Sequence, residues 1–84
     1  MPTISEFLGI KIEMRLIGSE HNPPHIHASY GEHKAIYDIA NIQLKAGKLP
    51  ARANAHVIEW IILHQKDLQK MWNTQKFAKL PPLE

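Results

Sequence analysis

Three of the six histidines of this chain fall within seven residues, in the block His21-Asn22-Pro23-Pro24-His25-Ile26-His27. Imidazole titrates near neutrality, so two rings at one site can take and give a proton in the same reaction. Lys11 and Arg15 lie upstream of the block, with Glu13 between them. Histidines, cations and a carboxylate together suit acid/base work on a phosphodiester: one ring accepts a proton, another donates one, and a cation holds the developing charge. RNA carries its own nucleophile, the 2′-hydroxyl, so none is required from the protein. The candidate catalytic residues are therefore His21, His25 and His27, and the candidate substrate-binding residues are Lys11, Arg15, Asn22 and Tyr30.

Two other readings of the same block stand beside this one. His25 and His27, two apart on a strand, with His21 as a third donor, could hold zinc or another divalent transition metal; the metal-free reading needs no cofactor. The block could also be a rigid turn whose histidines cap backbone groups and whose prolines fix the entry to a strand.

The elements that must position these residues are legible in the periodicity. From Gly9 to Ile17 the chain alternates, with Ile10, Ile12, Met14 and Leu16 on one face and Lys11, Glu13 and Arg15 on the other, the pattern of a half-buried strand. Thr3 to Phe7 reads as a short strand before it. The stretch from Gly18 to Pro24 reads as loop, because proline lacks an N–H for a ladder. In His25 to Tyr30 the period of two separates His25, His27 and Ser29 from Ile26, Ala28 and Tyr30. Lys34 to Ile39 reads as a fourth strand, and Ile42 to Leu44 as a fifth before Gly47.

From about Pro50 to Phe77 the period becomes helical, with Val57, Ile61, His64, Leu68 and Met71 recurring at spacings of four and three. Ile58, Trp60, Ile62 and Leu63 widen the apolar stripe, which predicts a helix covered on more than one side, by the sheet and by a second chain. Trp60 and Trp72 are expected as core or interface anchors, His64 as a hydrogen-bonded core residue, and His56 as a surface pair with Glu59. Lys66, Lys70, Lys76 and Lys79 form a thin basic stripe, and residues 78–84 read as a tail ordered by a binding partner. The expectation is a single α+β domain over residues 1–84: a small antiparallel sheet of four to five strands, in about 3–46, packed on one long C-terminal helix, in about 50–77.

The composition sets bounds on this. Eighty-four residues provide for one core, and a small one. The absence of cysteine fits a reducing cytoplasm, the first residues lack the pattern of a signal peptide, and the run Trp60-Ile61-Ile62-Leu63 is too short to span a bilayer. A formal charge of +2 permits contact with nucleic acid but is not a strongly basic footprint.

The chain resembles a family of small bacterial domains of unknown function. The features that carry the resemblance are Met1-Pro2-Thr3-Ile4-Ser5 with Phe7-Leu8-Gly9-Ile10, the histidine block with Tyr30-Gly31, Gly47-Lys48-Leu49-Pro50, and Glu59-Trp60 with His64. Ala28 departs from the larger β-branched residue expected after the last motif histidine. Members of that family are often encoded beside a second small protein in pairs that look like toxin–antitoxin modules. The resemblance implies the same setting here, with a cognate antitoxin-like protein as partner, but no catalytic residues. The functional expectation is a toxin-like component acting on RNA as a metal-independent ribonuclease. The rival is a non-catalytic protein-binding module.

Overall fold

A computed structural model describes residues 3–15 and 23–83. Five strands, β1 (Thr3–Phe7), β2 (Ile10–Glu13), β3 (His25–Tyr30), β4 (His33–Asp38) and β5 (Gln43–Gly47), precede one helix, α1 (Ala51–Thr74). The strands pair in sequence order as an antiparallel meander, β1-β2-β3-β4-β5, so β3 with its histidines is the central strand.

Tight turns enforce this order. Leu8 and Gly9 both have positive φ, 50° and 79°, as a two-residue hairpin of matching twist requires. Gly31, with φ of 60°, opens the turn from β3 to β4. Gly47 does different work: its φ is 74° and an added Cβ would run into the Lys34 carbonyl, so this position holds β5 close against β4.

The alternation reads out as burial. Ile10, Ile12, Ile26, Ala28, Ala35 and Tyr37 point to the core beneath the sheet, where they meet Ala53, Val57, Trp60, Ile61, Leu68 and Met71 of α1. The opposite face of the sheet has no helix on it among the described residues. β2 is shorter than the alternation predicts: it ends at Glu13, with Met14 buried and Arg15 exposed beyond it, and Leu16 and Ile17 lie outside the described residues. β5 starts one residue later than predicted and runs to Gly47.

The helix is shorter at both ends than its periodicity. Pro50 is its N-cap rather than its first turn, and Gln75, in the left-handed region at φ 57°, stops it by turning its N–H back to the Met71 carbonyl. Residues 75–83 are not a loose tail. Leu80 N–H donates to the Ile4 carbonyl on the outer edge of β1 at 2.8 Å, Trp60 Nε1 donates to the Pro81 carbonyl at 2.9 Å, and Leu83 is buried. Phe77 and Leu80 pack on the same core. The apolar side chains of this segment find their partner within the chain itself, which is what a reading by composition missed. Among the described residues no helix is long and apolar enough to cross a membrane.

Candidate functional site

The face of the sheet away from α1 is built in rows, because residues paired across an antiparallel ladder share a side. One row is Lys11, Ser29 and Lys34; the next is Glu13, His27, Ile36 and Ala46; the row at the end of the sheet contains His25, Asp38 and Gln43. Lys11, Glu13, Arg15, His27 and Lys34 line a shallow groove of about 480 Å³, floored by Ile36 and Ala46. Ile36 and Ala46 also wall a second hollow, of about 260 Å³, with Pro23, Pro24, His25 and Lys45 around it. The two hollows therefore lie side by side on the open face, with Ile36 and Ala46 between them.

His25 is held from three sides. Its Nδ1 donates to the Pro23 carbonyl at 2.9 Å, its ring stands edge-on to His27 with centroids 5.2 Å apart, and the Trp72 ring of α1 lies 4.9 Å away. Since a carbonyl only accepts, Nδ1 carries the proton, and in the neutral ring Nε2 is the proton-accepting nitrogen. The backbone-capping role expected of a rigid turn is thus present, and it is the same contact that orients the ring. The prolines serve by their carbonyls: Pro24 O accepts the Ile39 N–H at 3.0 Å, extending the β3–β4 pairing past the strand.

Asp38 is a buried acid on this face, yet its carboxylate is engaged. Oδ1 accepts the Ala40 N–H at 3.1 Å and Oδ2 accepts from Asn41 Nδ2 at 2.8 Å. Gln65 Nε2 reaches the same turn from α1, donating to Ile39 O and Ala40 O at 2.9 and 3.1 Å. Together these hold the turn that leads into Ile42, a β-branched residue at φ 52°. Asp38 is a structural acid. Glu13, half-buried and paired across the ladder with His27, is the carboxylate that lines the groove.

Of the residues singled out in the sequence, the fold gathers His25, His27, Lys11 and Arg15 on one face. Tyr30 lies elsewhere. It pairs with Ile10 on the helix side of the sheet, beside Leu8, Pro50, Arg52 and His56. His21 and Asn22 lie outside the described residues. The zinc reading rests on His21 as third donor; among the described residues no group of three or more His, Asp or Glu side chains forms a metal centre. His64 is half-buried with its ring 5.0 Å from Trp60, a ring contact where a hydrogen bond was expected. Lys34, Lys45 and Ile36 were missed by inspection of the sequence. The period of two along β4 puts Lys34 and Ile36 on one side, but only the register against β3 shows that this side is the histidine side.

Fold and site together define a small α+β domain whose open sheet face carries His27 in a cation-lined groove and His25 in the hollow beside it. The chain belongs to the family described as a domain of unknown function, DUF4160, whose model matches residues 9–73. No curated protein matches the chain, and no solved structure does.

Proposed function

We propose that this domain is the toxin-like component of a toxin–antitoxin pair and acts in the cytoplasm as a metal-independent ribonuclease on the open face of its sheet. The observation that carries the reading is the pair His25 and His27, edge to face at 5.2 Å, with the tautomer of His25 set by the Pro23 carbonyl. Neutral His25 takes the 2′-hydroxyl proton at Nε2 as that oxygen attacks the adjacent phosphorus. Protonated His27 gives its proton to the departing 5′-oxygen. The products are a 2′,3′-cyclic phosphate and a 5′-hydroxyl end, and the proton count balances. Lys11, Arg15 and Lys34 line the groove that contains His27 and supply positive charge for the phosphate as its oxygens gain charge. His21, which lies outside the described residues, belongs to the same reading as a third imidazole. A small antitoxin-like protein would silence the site by covering this face.

The test is induction of the wild type and of a His25→Gln/His27→Gln variant, with growth and total RNA followed together. The purified proteins are assayed on single-stranded RNA in excess chelator. The expected result is growth arrest and chelator-resistant cleavage by the wild type, with cleavage lowered at least about a hundredfold in the variant. Intact RNA with folded wild-type protein sinks the ribonuclease; cleavage abolished by chelator revives the metal.

A non-catalytic binding module is favoured by a different feature. β5 ends the sheet, is exposed along its whole length and presents Leu44, an arrangement suited to strand addition by a partner protein. Under this reading a substitution of Leu44 by a charged residue, rather than of the histidines, abolishes complex formation.

A further inference from the structure

The outer face of α1 carries an adjacent apolar pair that the fold leaves uncovered. Ile62 is 59% exposed and Leu63 is 64% exposed, the two most exposed large apolar residues of the described chain. They are adjacent in sequence. With about 3.6 residues per turn, Ala55, Glu59, Ile62, Leu63, Lys66 and Lys70 share this face, with Glu59 and Lys66 along its middle and the two apolar side chains flanking them.

The position of the pair within the helix is informative. α1 runs from Ala51 to Thr74, so its midpoint falls between Ile62 and Leu63. A two-fold axis through that point, perpendicular to the helix, brings a second helix alongside in antiparallel sense. Residues on the midline equally far from the midpoint then face one another: Glu59 meets the partner's Lys66, and Lys66 meets the partner's Glu59. Ile62 and Leu63, on opposite flanks, each meet their own counterpart across the axis. The surface is self-complementary in shape class and in charge, as a two-fold interface has to be. A parallel pairing would set Glu59 against Glu59 and Lys66 against Lys66, so the charges choose the direction.

We propose that α1 is a dimerisation helix, and that its occupant is a second copy of this chain, docked antiparallel about the Ile62–Leu63 midpoint. The inference stands independently of the ribonuclease reading. The dimer stacks sheet, helix, helix and sheet, and leaves both open sheet faces pointing outward. Two apolar residues per helix, flanking a midline with two ion pairs, make a contact at the small end of specific interfaces, so association on the order of micromolar is expected rather than an obligate dimer.

Sedimentation equilibrium of the full chain, over about a thousandfold range of concentration, tests this. The expected result is a concentration-dependent rise from 9.6 kDa to twice that mass. Ile62→Lys/Leu63→Lys should stay monomeric with unchanged circular dichroism, since neither side chain is buried in the monomer. Glu59→Lys and Lys66→Glu should each weaken association about tenfold, and the two together should restore it, because each single reversal puts like charges opposite one another twice in the dimer. A single cysteine reports direction, the chain having none of its own. Ala55→Cys sits about 22 Å from its symmetry mate in the antiparallel pair but beside it in a parallel one, so it should fail to form a disulfide. A monomer at every concentration, single reversals without effect, or ready Ala55→Cys cross-linking would each overturn the proposal.

Discussion

Tyr37 shows how one buried polar group links packing to pH. It is fully buried, and its hydroxyl donates to Asn54 Oδ1 at 2.6 Å, tying β4 to the first turns of α1. Burial pushes its pKa above the ordinary tyrosine value. The folded state therefore holds this proton more tightly than the unfolded state. Its stabilising effect is complete below the unfolded pKa of about 10 and is lost as pH rises through the folded value. Urea denaturation should show stability falling from about pH 10 upward. Tyr37→Phe should lower stability near neutrality by about 1 to 2 kcal/mol, since it strands the Asn54 acceptor, and should flatten that alkaline loss. An unchanged alkaline slope in the phenylalanine variant would show that another group governs it. His25 makes a parallel point at the site. The contact that serves the turn, Nδ1 to Pro23 O, also leaves Nε2 as the acceptor of the neutral ring, so one hydrogen bond fixes both the backbone and the tautomer.

Among the elements, the segment after the helix departs most from what its sequence suggests. Residues 75–83 follow an αL stop, contain two prolines and have no regular structure, yet they complete the core. Trp60 needs a partner for its indole N–H, and Pro81 supplies a carbonyl; Leu80 gives its N–H to the free edge of β1; Leu83 is buried. Phe7 stacks on the other side of this assembly, 5.7 Å from Trp60. Deleting residues 79–84 should lower the free energy of unfolding by on the order of 3 kcal/mol, from the loss of the buried Leu83, the half-buried Leu80 and the partner of the indole N–H. Chemical denaturation of the truncated chain measures it. A truncated chain as stable as the full one would mean that this segment only rests on the core. Because the segment runs along β1, it also covers part of one sheet edge and leaves β5 as the exposed one.

For the whole molecule, net charge and local charge give different messages. A formal charge of +2 produces little long-range attraction for nucleic acid, so under the proposed ribonuclease reading the attraction for RNA would come from the few cations that the fold places in the groove. Binding of single-stranded RNA should therefore have a shallow salt dependence. Replacing Lys34 by Ala should reduce the slope of log K against log salt by about 0.7, the value of one phosphate contact on a single strand, while leaving the fold unchanged. Anisotropy titrations at several salt concentrations read this directly, and an unaltered slope would remove Lys34 from the binding surface. The molecule is small enough for the placement of a single strand to matter at this scale. Its radius of gyration of 11.6 Å is that of a chain whose C-terminal segment is packed in rather than trailing.

The division between what was legible in the sequence and what was not follows from the range of the forces involved. Alternation in β2 and β3, glycines where φ must be positive, and a helical period after Pro50 are local signals. By themselves they determined a sheet of four to five strands, one C-terminal helix and the common side of His25 and His27. Register is not local. That Lys34, Ile36 and Ala46 lie beside the histidines depends on which residue of β4 pairs with which of β3, and on the close β4–β5 approach that Gly47 permits. The engagement of Asp38 in a turn, the contact of Trp72 with His25 and the docking of residues 75–83 likewise join positions far apart in the chain. The apolar stripe of α1 was visible as too wide for a single contact, but its period could not say which part the sheet would cover. Tertiary packing decided that Trp60 and Ile61 face inward and that Ile62 and Leu63 remain exposed, because a helix resting on a sheet buries one side, and no further element among the described residues covers the other.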